Sequence, residues 1–324
     1  MRLFWEMHRH RGHAVLEEIN RWLLGIFDAA ARSAPPSPSS VHEARFFREL
    51  FSLPADKREQ IAQALHHDFG LYLFPGTGAA FSYPQLSKEE KKQVNAIYQY
   101  VYTALFSRRG VPLHHTGPRY DRRQFARDFT ADNPQLDSCC PVCLHHKSDL
   151  AQECDVEHFL PKRAYPAFVL HPDNLYLACK ECNQLYKKTK TIPLSESFLP
   201  YRDTVRDAAE VVVTREKGRD KIALLPKDPA QPSVQEKLTG FVEQFDLDTR
   251  WTKDCESFFR KMAARYRSRH LDKAALLREM REDWRKNAAV WELPEAYVEG
   301  IYWNWVSSRQ FDAFYAEMHD AADL

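Results

Sequence analysis

The sequence predicts an α+β protein, mostly helical, with one embedded metal-stabilised motif and an additional β-hairpin. Three observations lead to this fold class. Apolar residues recur at helical spacing through much of the chain. Two Cys-x-x-Cys pairs bracket a segment of 35 residues, and two stretches rich in β-branched and aliphatic residues flank a short charged turn.

The first 130 residues are predicted to form an N-terminal helical region. Apolar residues at helical spacing mark its first amphipathic helix: Val15, Leu16, Ile19, Trp22, Leu23, Ile26 and Phe27. The Pro/Ser-rich stretch 33–40 follows, and its composition fits a flexible linker and a surface loop equally well. A second helical block covers 41–67. A capping box of Ser87 with Glu90 then starts a helix that runs to about Phe106.

The last region, 201–324, is predicted to hold the β-hairpin and further helices. Two segments form the strands of the hairpin: Glu210–Thr214 and Lys221–Leu225. A capping box of Ser233 with Glu236 predicts where the helical part begins. Pro294 favours the start of a final, aromatic-rich helix, because proline suits the first position of a helix.

The composition indicates a folded protein that stays in the cytoplasm. Hydrophobic residues make up 44% and aromatic residues 13% of the 324 residues, which is enough for a packed core. The mean hydropathy is −0.57, and no apolar run approaches the roughly 20 residues that cross a membrane. The first eight residues interrupt their apolar positions with charges, so we predict no secretory signal and no membrane partner.

The net charge of +1 excludes a protein that coats nucleic acid through its overall charge. A nucleic-acid surface would instead depend on local clusters of cations. Two such clusters occur, at 108–127 and at 260–286. Each is interpreted either as a set of phosphate contacts or as a solvated helix face.

Four cysteines are predicted to bind one zinc ion. They form two knuckles, Cys140-Pro-Val-Cys143 and Cys179-Lys-Glu-Cys182, each of which turns the backbone so that both sulfurs face one point. A redox pair needs only one Cys-x-x-Cys, so the paired knuckles favour a closed tetrahedral site. Cys139 is adjacent to the first knuckle but lacks its spacing. Two further cysteines are predicted to be ordinary buried thiols: Cys154 and Cys255.

The residues between and after the knuckles follow a recognisable order. DVEHFLPK (155–162) comes first, then Asp-Asn-Leu (173–175), then the second knuckle with an asparagine directly after it. Over about 140–190, roughly a sixth of the chain, this order resembles the HNH endonuclease motif of the ββα-metal superfamily. The resemblance implies a zinc-stabilised ββα-metal motif within the predicted nuclease region, 131–200.

The resemblance also implies a role for four side chains. His158 is the expected general base, and Glu157 and Asn183 are the expected ligands of a catalytic Mg²⁺ or Mn²⁺ ion. Asn174 matches the asparagine that orients the loop and the histidine. Neighbouring residues on a strand point to opposite sides, so Glu157 can face a metal while His158 faces a water. Many members carry Asp at the position of Glu157, and others carry His at that of Asn183.

Five other histidines lack this context and are predicted to be loop or surface residues: His114, His115, His145, His146 and His171.

A wider and weaker resemblance reaches 201–248, which is similar to HNH proteins of bacterial anti-phage systems such as the nuclease subunit of Septu. It implies a role in defence and an ATPase partner. The expected substrate of the nuclease is nucleic acid, DNA more than RNA. A nucleotide-binding glycine loop is absent from the sequence. The main rival interpretation is a non-catalytic zinc module that binds nucleic acid or protein, and a purely structural scaffold is the third.

Overall fold

The computed structural model describes residues 7–32, 50–73, 87–112, 119–136, 138–148, 150–162, 165, 168–188, 196–216, 219–267, 269, 271–291 and 294–320. These ranges are mostly helical and include three two-stranded antiparallel sheets, which confirms the α+β class. None of the helices in these ranges is long and apolar enough to cross a membrane. The predicted linker at 33–40 and the histidines at 114 and 115 lie outside the described residues.

The helices and strands are numbered in chain order. The α-helices are α1 (Arg11–Ala31), α2 (Ala55–Leu73), α3 (Lys88–Tyr100), α4 (Arg122–Asp132), α5 (Leu150–Glu153), α6 (Val205–Ala208), α7 (Pro232–Phe245), α8 (Leu247–Arg267), α9 (Lys273–Lys286), α10 (Ala288–Trp291), α11 (Pro294–Arg309) and α12 (Phe311–Asp320). Two segments are π-helical: Val101–Arg109, which continues α3, and Glu181–Lys187. The strands are β1 (Val111–Pro112), β2 (Arg119–Tyr120), β3 (Cys154–His158), β4 (Leu175–Cys179), β5 (Ala209–Glu216) and β6 (Arg219–Pro226).

Each sheet pairs two successive strands: β1 with β2, β3 with β4, and β5 with β6. The predicted hairpin is confirmed as β5 and β6, and each strand is longer than the sequence pattern indicated. Helix α8 packs against β6, and α11 packs against β5, so the hairpin joins the C-terminal helices. The alternation of a half-buried strand is seen in β5, where Ala209, Val211 and Val213 are buried.

Helix starts follow local chemistry, with one prediction wrong. The Ser87 hydroxyl accepts from the Glu90 amide at 3.3 Å, and the Glu90 carboxylate accepts from the Ser87 amide at 2.7 Å, which confirms that capping box. The predicted box of Ser233 with Glu236 does not form. Helix α7 instead begins at Pro232, whose fixed φ suits the first turn of a helix. Helix α11 begins at Pro294, as predicted.

The start of α1 packs against the chain that leads into β4. The amide of Asn20 donates to the carbonyl of Leu170 at 2.8 Å, and the guanidinium of Arg9 lies 3.1 Å from the carboxylate of Asp173. His171 lies in the loop before β4, which fits its prediction as a loop or surface residue, but it is buried and does not lie at the surface. Its burial depends in part on α1, about 150 residues earlier in the chain.

Three buried histidines surround this contact. His10 accepts from the Gly12 amide through Nδ1, and His13 accepts from the His10 amide through Nδ1. Burial lowers the pKa of His10 to about 4, of His13 to about 2 and of His171 to about 3. All three are therefore neutral in the folded protein at physiological pH.

We expect the folded state to lose stability in mild acid. In the unfolded chain these histidines titrate near 6.5, so below that pH protonation favours unfolding, and the loss continues as the pH falls towards the folded pKa values. Each contributes about 1.4 kcal/mol of unfolding free energy per pH unit in this window. Urea unfolding at pH 7 and pH 5 measures the effect. His171→Leu should reduce the difference between the two pH values by about 2 kcal/mol. His8→Gln, at an exposed histidine, should leave it unchanged.

Candidate zinc centre and adjoining residues

The four knuckle cysteines form one cluster, as the sequence predicts. One sulfur from each of the four buried residues lies within 4.8 Å of the other three: Cys140, Cys143, Cys179 and Cys182. Cys139, Cys154 and Cys255 are buried but do not belong to it. Four thiolates at this spacing are the donor set of a closed tetrahedral zinc site, and these residues fit the ion. Such a site supplies folding energy and leaves no position open for a substrate.

Backbone amides orient the sulfurs. Cys140 Sγ accepts from the amide of Val142 at 3.4 Å and from the amide of Cys179 at 3.3 Å. Cys179 Sγ accepts from the amide of Cys182 at 3.4 Å. Leu144 closes the first knuckle with φ of 58°, and its amide donates to the carbonyl of Cys140. These amide donors stabilise the negative charge of the thiolates. The two-residue spacing of each knuckle brings a backbone amide within reach of a sulfur.

Cations compensate the remaining charge. The guanidinium of Arg250, at the start of α8, donates to Cys182 Sγ at 3.1 Å and pairs with Glu181 at 3.0 Å. On the other side, the hydrogen bond to Asp254 raises the pKa of His145 to about 10, so this imidazole is positively charged. Four thiolates around a divalent ion carry a net charge of −2, and the adjacent cations reduce the cost of burying it.

Helix α8 docks on the zinc centre through two consecutive residues. Beside Arg250, the indole of Trp251 donates to the carbonyl of Cys143 at 3.1 Å, and this side chain is fully buried. The two contacts reach one knuckle each. They tie a helix of the C-terminal region to the metal-binding segment, which sequence reasoning missed because no local pattern links positions more than sixty residues apart.

Two strands and a helical segment build the second half of the site. In the antiparallel pair of β3 and β4, Cys154 lies opposite Cys179 and His158 lies opposite Leu175. The zinc centre is thus at one end of this sheet and His158 at the other, about 13 Å along the strand. The π-helix Glu181–Lys187 begins within the second knuckle and includes its last cysteine, Cys182. The chain therefore has a ββα order in which metal binding fixes both the second strand and the helix.

The π-helix lies over one face of β3. Asp155 and Glu157 share that face because side chains alternate along a strand. The amide of Gln184 donates to Asp155 at 3.1 Å, and the ammonium of Lys187 donates to Glu157 Oε1 at 2.5 Å. Lys187 also donates to the carbonyl of His158 at 2.6 Å and is fully buried. The charged sequence around Lys187 would also fit a solvated helix face or a phosphate contact, but the structure buries its ammonium against β3.

His158 points away from that face and is held in one orientation. Its Nε2 lies 3.0 Å from the carbonyl of Val169, and its ring meets that of Tyr102 edge to face. Because a carbonyl only accepts, Nε2 carries the proton in the neutral ring and Nδ1 carries the free lone pair. Burial lowers the pKa of His158 to about 3, which keeps the ring neutral. A neutral imidazole of fixed tautomer has a lone pair for a proton, and the lowered pKa makes this buried ring a weaker base than an exposed histidine.

Asn174 closes the loop between the two strands. Its side-chain oxygen accepts from the amide of Leu160 at 2.6 Å, and its side-chain nitrogen donates to the carbonyl of Phe168 at 2.8 Å. Its own carbonyl accepts from the amide of Phe159 at 2.7 Å. Asn174 is fully buried, and these bonds fix the loop whose Val169 carbonyl holds His158. The geometry suits a positioning residue, the role that the sequence resemblance implied.

Two side chains are the expected ligands of a Mg²⁺ or Mn²⁺ ion, and both carry oxygen atoms. Glu157 supplies carboxylate oxygens at the end of β3, and Asn183, in the first turn of the π-helix, is partly exposed and supplies an amide oxygen. Oxygen donors of these two kinds suit hard divalent cations. One oxygen of Glu157 is already bound by Lys187, so a metal at this carboxylate meets a positive charge.

Comparison with known proteins finds no matching family model, no matching curated protein and no matching solved structure. A function for the chain therefore depends on the chemistry of its own residues.

Proposed function

We propose that the chain is a metal-dependent endonuclease of the HNH type that hydrolyses phosphodiester bonds in nucleic acid. The observation that carries the proposal is His158, a neutral imidazole whose Nε2 lies 3.0 Å from the carbonyl of Val169, so that Nδ1 is the unprotonated nitrogen of the ring. It adjoins the buried carboxylate of Glu157 on a strand that a four-cysteine centre anchors at its other end. A zinc module that only binds nucleic acid does not require a histidine and a carboxylate side by side at this position.

Each residue has a defined task in the proposed reaction. His158 Nδ1 accepts a proton from the attacking water, while the Val169 carbonyl keeps the ring in place. Glu157 and Asn183 hold a Mg²⁺ or Mn²⁺ ion, which when bound supplies positive charge to the phosphate and its leaving oxygen. Asn174 holds the loop, and the four cysteines hold a structural Zn²⁺ that fixes β4 and the π-helix.

A basic surface adjoins these residues. Arg122, at the start of α4, lies 3.7 Å from Asp155, which shares a strand face with Glu157. Arg123 and Arg127, one helical turn apart, are exposed on the same helix. We infer that Arg122, with Arg123 and Arg127 on the same helix, contributes the phosphate contacts next to the proposed centre.

Ion pairs between helices occupy much of the second basic cluster. Five pairs are formed there: Lys261 with Glu299, Arg265 with Asp283, Arg269 with Glu279, Lys273 with Asp312, and Lys286 with Glu282. Four of these five pairs connect one helix with another helix or with the turn beside it. We infer that these pairs mainly hold the C-terminal helices together. We therefore assign the phosphate contacts to the cluster at 108–127.

Charge reversal separates the two clusters. Arg123→Glu is expected to weaken nucleic-acid binding and to lower the slope of log affinity against log salt by about one, because one phosphate contact is lost. Arg265→Glu, which breaks the pair with Asp283, should lower thermal stability and leave that slope unchanged. Binding titrations between low and physiological salt measure both. A slope change for Arg265→Glu alone would reverse the assignment.

A role in bacterial anti-phage defence, in the cytoplasm and with an ATPase partner, extends the proposal. It follows from the sequence resemblance of the hairpin and helix up to Asp248 to nuclease subunits of such systems, and it agrees with the absence of a nucleotide-binding glycine loop from the sequence. DNA is the proposed substrate.

Cleavage assays test the proposal directly. Zinc-loaded protein should nick or cut supercoiled plasmid in the presence of Mg²⁺ or Mn²⁺. It should not do so when a chelator removes these ions but leaves the zinc bound. RNA substrates in the same assay show whether DNA or RNA is cleaved. Added ATPase candidates from the same operon show whether a partner activates cleavage. Tight binding without cleavage under all these conditions would favour the non-catalytic zinc module.

A further inference from the structure

The contact between Lys187 and Glu157 is a fully desolvated ion pair. Lys187 is 0% exposed and Glu157 is 8% exposed, and the ammonium makes short contacts to the Glu157 carboxylate and the His158 carbonyl. Burying an ammonium is costly unless close acceptors surround it. The π-helix meets this need, because it ends at Lys187 and brings the side chain back over the end of β3.

The ammonium occupies the side of Glu157 that faces the π-helix, which is also the helix that carries Asn183. A divalent ion bound by both Glu157 and Asn183 has to enter between the same two elements. At contact distances, two positive charges that share one carboxylate repel each other strongly, since little water screens them. The ion and the ammonium therefore compete for Glu157.

We propose that Lys187 is a resident counter-ion that a divalent metal displaces from Glu157, so that Lys187 sets how tightly the centre binds metal. The inference rests on the proposed function, in which Glu157 is a metal ligand. With Lys187 in place, the Glu157 carboxylate has a positively charged partner. The zinc-bound segment then needs no divalent ion at Glu157. Displacement frees the ammonium from Glu157 and couples metal entry to a local rearrangement of the helix end.

Mn²⁺ binding to the zinc-loaded full chain, measured by electron paramagnetic resonance of free Mn²⁺, tests the proposal. Lys187→Gln keeps a hydrogen-bond donor and removes the charge, so it should lower the dissociation constant of Mn²⁺ about tenfold or more. Lys188→Gln, at the exposed neighbouring lysine, is the matched control and should leave the constant unchanged. The double variant Glu157→Gln with Lys187→Gln should lose the gain. Equal affinity in Lys187→Gln and wild type would overturn the inference.

A measurement on the wild type covers the case in which Lys187→Gln does not fold. A buried ammonium exchanges its protons slowly and gives its own signal in ¹H–¹⁵N spectra of ¹⁵N-lysine-labelled protein. Saturating Mg²⁺ should shift or remove that signal, and an unchanged signal would contradict displacement. Cleavage by wild type with an unchanged Lys187 signal refutes the inference alone. Mn²⁺ binding that survives Glu157→Gln refutes the metal site and the inference together.

Discussion

Replacing His158 with alanine is expected to reduce phosphodiester cleavage about 10²–10⁴-fold, because the reaction loses its general base. Zinc content and nucleic-acid affinity should stay close to wild type, since His158 is not among the four clustered cysteines and lies at the far end of β3. The measurement is the single-turnover rate on supercoiled plasmid at saturating metal. The loss should appear in the rate and not in the metal dependence.

Two comparisons separate loss of the base from damage to the loop. Added imidazole should partly restore cleavage by His158→Ala, because the missing ring leaves a space beside the Val169 carbonyl and Tyr102. In contrast, Glu157→Ala and Asn183→Ala remove ligand oxygens. High Mn²⁺ should restore part of the cleavage activity of these two variants. Mn²⁺ should not rescue His158→Ala. Cleavage at the wild-type rate by His158→Ala would rule out the proposed mechanism.

The four-cysteine cluster was predictable because its signal is local. Knuckle spacing fixes which cysteines converge, and the structure groups Cys140 and not Cys139, as the spacing requires. Period-two and capping patterns likewise located the β5–β6 hairpin and the start of α3 at Ser87. Local patterns compete, however. At α7 the proline at 232 overrides the capping box of Ser233, because its fixed backbone angle starts the helix earlier.

The electrostatic arrangement around the site was not predictable, because it depends on contacts far apart in sequence. The burial of Lys187 follows from the π-helical winding of 181–187, which turns the side chain onto β3 in place of solvent. The contact of Arg250 with Cys182 spans 68 positions. For the basic cluster at 260–286 the sequence left phosphate contacts and a solvated helix face open, and it gave no sign of distant ion pairs such as that of Lys273 with Asp312.

Loss of zinc is expected to have the largest effect on the fold. Purified, reduced protein should contain about one zinc per chain, since four thiolates complete one closed site. Cys140→Ser should lose that zinc and lower the melting temperature sharply. Structural zinc contributes roughly 10–16 kcal/mol in small zinc domains, which is comparable to the whole stability of a typical protein.

Cys139→Ser is the matched control for this loss. It changes the neighbouring residue, which is equally buried but lies outside the cluster, so zinc content should remain near one per chain. Because Arg250 and Trp251 dock on the cluster, zinc loss should also expose the start of α8 to proteolysis. Limited proteolysis with mass spectrometry should find new cuts near 245–250 in Cys140→Ser and none in Cys139→Ser. Intact α8 in a zinc-free Cys140→Ser protein would show that the helix docks independently of the metal.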